Sequence, residues 1–416
     1  MIPNNVIITE RFNQNLTNSQ KYNKLSRFRW YGYKEGFSPL LVEEAIETIG
    51  IKNGDYILDP FNGNGTVTLT ASFNNIKSIG LEVNPFVSFM SEIKQSNVDF
   101  KIFRKHISSI LLSVKRRKES NLLYSSTFSE LTGKPKWLFN SSVLNSFEGG
   151  WYAANKLQKE VRGLFQLALI GAAIDNCNAT KDGKCLKYRE NWRQREFNDI
   201  NFRDSLEKRL IIISEDLKDS YVPQKAVIKN VDSRIAISNI ATEFKLCITS
   251  PPYLNSFDYT DIYRPELFLG KFISNNSELS KLRFKTIRSH VEIKLPKPQV
   301  NDFGEIYNQI IQPIRSSASL WNYQIPLMIQ SYFEDMRRVL IDLRTKVSKG
   351  GQLWLVVANS VYCETEVPVD LILADIGTRN GWKLKKIEVL RNIQRRKTKH
   401  NGNINSIRES LIVFME

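Results

Sequence analysis

Residues 55–83 constrain the fold of this chain more than any other stretch. Asp55–Asp59 carries a short apolar run that ends in Asp59-Pro60. A loop with two glycines follows, then an apolar segment from about Thr66 to Asn74, then SIGLEV over Ser78–Val83. Strand, glycine loop, helix and strand in that order make a βαβ unit, whose strands lie parallel in one sheet. Just upstream, Ser38-Pro39 supplies an N-cap and a first-turn proline for a helix through Leu40–Ile49 that stops near Gly50.

The same alternation resumes after residue 225. Ala226–Val231 and Lys245–Thr249 read as strands. Ser331, with Glu334 three residues on, predicts a capping box. Phe333, Met336, Val339, Leu340 and Leu343 then share one helical face, and Gly350-Gly351 is expected to end that helix. Gln352–Ala358 is apolar on both faces, as a central strand is, and Trp382–Leu390 and Ser410–Phe414 predict two more strands. The pattern predicts an α/β fold, a Rossmann-like doubly wound sheet. Residues of about 86–225 interrupt it with a more helical and more basic stretch, read as a large helical insertion. A second inserted segment, about 271–325, holds Arg283, Lys285, Arg288, Lys294 and Lys297.

The loop Asp59-Pro60-Phe61-Asn62-Gly63-Asn64-Gly65-Thr66 follows a strand and opens a helix. Gly63 and Gly65 let the backbone turn tightly and a ligand approach it closely. The loop lacks both GxGxxG spacing and a GK[ST] ending, which disfavours dinucleotides and nucleoside triphosphates. Glu82 closes the next strand, 17 residues after Gly65, where an acid can accept hydrogen bonds from ribose hydroxyls. A ligand with a ribose and no pyrophosphate satisfies both observations, and S-adenosylmethionine is one.

The strand Lys245–Thr249 runs into Thr249-Ser250-Pro251-Pro252-Tyr253. Two prolines fix φ twice and remove two N–H donors, so the strand ends there and leaves acceptors facing outward. Ser250 Oγ and the Pro251 carbonyl are candidate acceptors for an amino group, and Tyr253 offers a face on which a base can stack.

Composition narrows the partner. Lys and Arg total 59 against 43 Asp and Glu, a formal charge of +16, which favours a polyanion. The four cysteines form no CxxC pair and the three histidines are far apart, so neither a metal site nor a disulfide framework is expected. Cys247 and Cys363 read as small buried hydrophobes. No apolar run approaches the ~18 residues of a membrane span, and the N-terminus lacks signal-peptide character. A cytoplasmic protein with no membrane partner is expected.

The glycine loop and the double proline together resemble the amino-group branch of the DNA methyltransferases. DPFNGNGT (59–66) is similar to that family's cofactor motif, and TSPPY (249–253) to its catalytic motif in the form more often associated with cytosine N4 than with adenine N6. The segment Arg27–Pro39 resembles the N-terminal cofactor-pocket motif. Asn230–Arg234 resembles the third-strand motif whose acid, here Asp232, binds the adenine amino group. Asn255–Gly270 resembles a stretch found after SPPY in some members. The insertion between the second and third strands departs from the plainest family layout.

The resemblance implies S-adenosylmethionine as cofactor, held by Tyr33, Lys34, Phe37, Asp59, Pro60, Phe61, Gly63, Gly65, Thr66, Glu82, Asn84, Asp232 and Thr249. It implies catalysis by Ser250, Pro251, Pro252 and Tyr253, with direct transfer of a methyl group to the amine of a base flipped out of double-stranded DNA. It divides the chain into a cofactor half (1–90), a basic helical insertion that is a candidate for target recognition (91–225) and a catalytic half (226–416). A site-specific enzyme of a restriction-modification system is expected, with any cognate endonuclease acting separately. The charge pattern makes Lys181, Lys184, Lys187, Arg189, Arg193 and Arg195 candidate DNA contacts, and adds a C-terminal cluster of Arg391, Arg395, Arg396, Lys397 and Lys399 in a hairpin-like loop that closes at Asn401-Gly402.

Rival readings have their own signatures. An adenine-N6 enzyme uses the same chemistry. A tRNA guanine-N2 methyltransferase has similar motifs but usually an N-terminal RNA-binding domain, whereas about 26 residues precede the first pocket motif here. A protein glutamine methyltransferase has Asn where this chain has Ser250. A non-catalytic DNA-binding module need not keep both motifs.

Overall fold

The computed structural model describes residues 8–17, 19–182, 185–195, 197–294, 296–394 and 404–416. Its centre is one sheet built from β1 (Ile8–Glu10), β2 (Tyr56–Asp59), β3 (Lys77–Glu82), β4 (Val227–Asn230), β5 (Phe244–Thr249), β6 (Val347–Ala358), β7 (Lys383–Gln394) and β8 (Ser406–Met415). Across the sheet the order is β1-β7-β8-β6-β5-β2-β3-β4. The run β6-β5-β2-β3-β4 is parallel, β8 lies antiparallel between β6 and β7, and β1 pairs parallel with β7. This is the expected Rossmann-like α/β sheet. β2 and β5 are neighbours, so the glycine loop and the double proline leave adjacent strands at the same edge. In open parallel sheets, that carboxyl edge is where ligands bind.

Alternate strand residues face opposite layers, as the pleat requires. Leu58, Cys247, Leu353, Leu355, Ile412 and Phe414 pack on one side, against helices Glu305–Arg315, Ile325–Arg344 and Val369–Arg379. Ile57, Leu246, Ile248, Trp354, Val356, Leu411 and Val413 pack on the other, against helices Pro39–Ile49 and Thr66–Phe73. Helix Pro39–Ile49 starts as its sequence predicts: Ser38 Oγ accepts from the Leu40 N–H at 3.1 Å, and Gly50 ends it at φ 68°.

Two expectations are corrected. Ser331 caps nothing, because the helix begins six residues earlier, at Ile325 with Pro326 in its first turn, and Ser331 is buried inside it. The apolar face starts upstream of the polar pair, and packing sets the boundary. Gly350-Gly351 does not end that helix either. The helix stops at Arg344, and both glycines lie in β6. A Cβ on Gly351 would lie 2.7 Å from Val347 Cγ2, 2.9 Å from the Ser348 carbonyl and 3.0 Å from the Lys245 carbonyl, so the start of β6 and the neighbouring strand together leave room for glycine alone.

Between β3 and β4 in the chain, helices Phe100–Arg116, Ser141–Ala154, Lys159–Asp175 and Asp199–Asp219 pack around one apolar core that includes Phe103, Phe147, Phe165, Leu169 and Leu210. The segment before the first sheet helix clamps this body. Arg27 is fully buried, and its guanidinium donates to the carbonyls of Lys94 (3.0 Å), Ser96 (2.5 Å) and Ser220 (2.5 Å). Asp216, on the last of the four helices, accepts from the Arg27 N–H, the Arg29 side chain and Trp30 Nε1 at 2.7–2.8 Å. Among the described residues, no helix is long and apolar enough to cross a membrane, and no cluster of His, Cys, Asp and Glu could hold a metal ion.

Candidate active site

The glycine loop is held open by side chains behind it. Asn62 donates from Nδ2 to Ser91 Oγ (2.7 Å) and accepts at Oδ1 from Thr68 Oγ1 (2.8 Å), while its N–H binds the Leu81 carbonyl of β3. Gly65 sits at φ 84°, and a Cβ there would lie 2.5 Å from Ser91 Oγ. Gly63, at φ 50°, faces the Tyr33 ring, which a Cβ would touch at 3.4 Å. Gly65 needs glycine for conformation and for space, and Gly63 for its positive φ.

Glu82 ends β3 and closes the loop from the far side. Its Oε2 accepts from the Gly63 N–H (2.9 Å) and its Oε1 from the Asn84 N–H (2.8 Å). The carboxylate has more lone-pair directions than these backbone donors use, so acceptor capacity remains for a ligand. Burial nevertheless raises the carboxyl to about 7, and the backbone donors only partly offset this. Asn84 also caps helix Pro85–Ile93 through Oδ1. Asp232 caps the turn after β4 and pairs with Arg234 at 2.7 Å, and the Ser233 hydroxyl donates to the Pro60 carbonyl.

Several of these groups, Gly63, Glu82, Asn84, Asp232 and Ser233 among them, line one cavity of about 250 Å³ at the carboxyl edge. Of the expected cofactor contacts, Tyr33, Lys34, Pro60, Phe61, Gly63, Glu82, Asn84 and Asp232 are at its wall, together with Ser250, Pro251, Pro252 and Tyr253. Phe37, Asp59, Gly65, Thr66 and Thr249 are not. Phe37 belongs to the apolar layer with Leu41 and Val42. Gly65 and Thr66 open the helix behind the loop. Asp59 and Thr249 stand behind the wall, where Thr249 Oγ1 donates to Asp59 Oδ1 at 2.6 Å. Burial pushes the Asp59 carboxyl up to about 7, against the lowering effect of Thr249 and the Phe61 N–H.

The cavity also contains residues that sequence reasoning did not place there. Tyr263 stacks on Tyr33 with ring centres 5.7 Å apart, and its hydroxyl donates to Glu35 at 2.7 Å. Phe257 and Tyr259 join it from the stretch after TSPPY. Lys285, Thr286, Ile287, Ser289 and His290 come from the second inserted segment. His290 is buried, which lowers its tendency to take a proton. Arg391 and Glu409 reach the same wall from the β7–β8 hairpin. The motif after TSPPY pointed to the first group. No sequence signal pointed to Glu409.

The acceptor face of TSPPY is tied down by that hairpin. Ser250 Oγ lies 3.3 Å from the Tyr253 hydroxyl, which donates to Glu409 Oε1 at 2.7 Å. Arg391 Nε donates to Glu409 Oε2 at 2.6 Å.

The basic candidates fall differently. Lys181 is turned inward: its ammonium lies 2.5 Å from the fully buried Glu266 and 3.4 Å over the Tyr263 ring, so it braces the cavity wall. Arg189 donates to the Cys177 carbonyl (2.8 Å). Lys187, Arg193 and Arg195 are exposed, Arg193 with a bond to the Pro135 carbonyl and Arg195 with one to the Glu190 carbonyl. They lie on or beside a small hairpin, Ala179–Lys181 with Leu186–Tyr188. Arg391 sits in β7, paired with Glu409, and not in a loop. Lys184, Arg395, Arg396, Lys397, Lys399, Asn401 and Gly402 lie outside the described residues.

Residues 3–92 match the DNA methylase family N6_N4_Mtase. The chain is 26% identical to the Type II methyltransferase M.BsoBI of Geobacillus stearothermophilus, over 98% of this chain and 89% of that one. It is 25% identical to the Type II methyltransferase M.AvaI of Nostoc sp. (92% and 84%) and 20% identical to the Type II methyltransferase M.MvaI of Kocuria varians (84% and 80%). The family match and these relatives support an amino-group DNA methyltransferase whose methyl donor is S-adenosylmethionine.

Proposed function

We propose that this chain is a site-specific DNA methyltransferase that methylates the exocyclic N4 of cytosine in double-stranded DNA. We infer that it serves a restriction-modification system whose endonuclease is a separate protein. The observation that carries the reading is the meeting of DPFNGNGT and TSPPY at neighbouring strand ends, on one cavity, with Thr249 bonded to Asp59 behind it. The residues present fit an adenosyl donor: Gly63 leaves room beside Tyr33, and Glu82 offers acceptor directions for ribose hydroxyls. When bound, S-adenosylmethionine supplies an electrophilic methyl group.

The chain's own residues prepare the acceptor. A base amine is a poor nucleophile because its lone pair is delocalised into the ring. Ser250 Oγ and the Pro251 carbonyl accept its hydrogens and favour a pyramidal nitrogen. These bonds strengthen as positive charge develops, so they stabilise the transition state more than the ground state. Tyr253 stacks on the base and offsets part of the few kcal/mol that flipping costs. Cytosine is preferred to adenine because position 250 is serine, in the TSPPY form. The helical body over 91–225 is the proposed target-recognition part, with Lys187, Arg193 and Arg195 exposed for phosphates.

Mass spectrometry of nucleosides from treated DNA tests the reading. N4-methylcytosine is expected. N6-methyladenine would move the assignment to adenine, and methylation of RNA alone would overturn it.

A further inference from the structure

Glu409 ends a hydrogen-bonded chain that begins in the cavity. Ser250 Oγ, the Tyr253 hydroxyl and Glu409 Oε1 are linked at 3.3 and 2.7 Å, and Glu409 is only 3% exposed. Its second oxygen is taken by Arg391 Nε, directly across the β7–β8 pair. An ionised carboxylate can only accept. The Tyr253 hydroxyl must therefore use its one proton on Glu409, and its oxygen then accepts from Ser250. Ser250 in turn uses its one proton on Tyr253. What remains to face the cavity on Ser250 is lone pairs.

A serine hydroxyl is otherwise a rotor that donates or accepts as its surroundings dictate. We propose that Glu409 is a positioning residue that fixes the direction of this chain, so that Ser250 meets the substrate amine as an acceptor only. The inference rests on the amino-transfer reading and adds to it a residue 156 positions from Tyr253 in sequence. An amide at 409 would undo the arrangement with little change in shape. Its N–H₂ can donate to the Tyr253 oxygen, Tyr253 can then donate to Ser250, and Ser250 would donate into the cavity, opposing the amine hydrogens.

The test uses the full chain with unmethylated phage DNA that the wild type methylates, and reads kcat, KM and calorimetric S-adenosylmethionine binding. Glu409→Gln is expected to lower kcat ~100-fold, the scale of losing one preorganised group at a reacting centre, with KM and cofactor affinity near wild type. Glu409→Asp restores part of the loss. Tyr253→Phe keeps the ring and breaks the chain, so it also lowers kcat, and the double variant Glu409→Gln/Tyr253→Phe is no slower than the slower single. Wild-type kcat in Glu409→Gln, a change in KM alone, or a double variant whose loss is the product of the two singles overturns the inference. If Glu409→Gln does not fold, Tyr253→Phe decides: lowered kcat supports the chain and wild-type kcat overturns it. A wild type that methylates no base amine sinks the proposed function itself. An active wild type with unaffected variants sinks only the role of Glu409.

Discussion

The Thr249 hydroxyl donates to the Asp59 carboxylate at 2.6 Å, across two strands whose residues lie 190 positions apart. Asp59 begins the glycine loop and Thr249 begins TSPPY, so this one bond couples the cofactor side of the cavity to the acceptor side. It lies behind the wall, out of reach of a ligand, and its role is to hold two loops in register.

Asp59 makes stability depend on pH. Its folded value is raised to about 7 by burial, so the native state binds a proton that the unfolded chain has released above its ordinary value near 3.8. Its contribution is fully present below that lower value and is lost as pH rises through about 7. The expected loss on going from pH 5 to 8 is on the order of a few kcal/mol. Urea denaturation across that range measures it, and Asp59→Asn should make the curve shallower, the remaining slope coming from Glu82, whose carboxyl is also raised to about 7. Equal slopes in the two proteins would show that Asp59 is not the source.

Glu82 makes cofactor affinity depend on pH in the opposite sense. Its carboxyl is raised to about 7, and ribose hydroxyls donate best to the ionised form. Binding of S-adenosylmethionine should tighten between pH 6 and 8. Glu82→Ala should weaken it ~10- to 100-fold, the scale of one or two charge-assisted hydrogen bonds, and remove the pH dependence. Calorimetry reads both effects.

Tyr253→Ala removes the stacking face as well as the hydroxyl. Turnover should fall by more than ~100-fold, because the stacking on one base, worth ~1–3 kcal/mol, is lost together with the hydroxyl that orients Ser250, with an unchanged circular dichroism spectrum. An active Tyr253→Ala enzyme would mean that the base stacks elsewhere.

DNA affinity should fall steeply with salt, because binding a phosphate releases counterions. Replacing Lys187, Arg193 and Arg195, the exposed members of the small hairpin region, should make the slope of log K against log salt shallower by up to about one for each phosphate that is no longer neutralised. Titration by fluorescence anisotropy at several salt concentrations reads the slope. An unchanged slope would place the DNA-binding surface elsewhere.

Much of this architecture was legible because local chemistry dictated it. Ser38, Pro39 and Gly50 bound a helix whose ends they specify, and the runs at Tyr56–Asp59 and Phe244–Thr249 are apolar on both faces, as buried parallel strands are. Reading failed where a distant partner decides. Ser331 and Glu334 have the spacing of a capping box, yet the apolar face of Ile325–Arg344 extends the helix past them. Lys181 looks like a DNA contact until Glu266, 85 residues away, takes its charge. Glu409 carries no local signature at all: it sits between Arg408 and Ser410 in the polar half of its strand and acquires its place only when β8 pairs with β7 and faces Tyr253.

A crystal structure with S-adenosylhomocysteine tests the central claim most directly. The ribose hydroxyls should lie on Glu82 and the adenosyl group beside Gly63, with the sulfur turned toward Ser250 and Pro251. An adenosyl group bound away from that cavity, or a sulfur facing away from the double proline, would contradict the account.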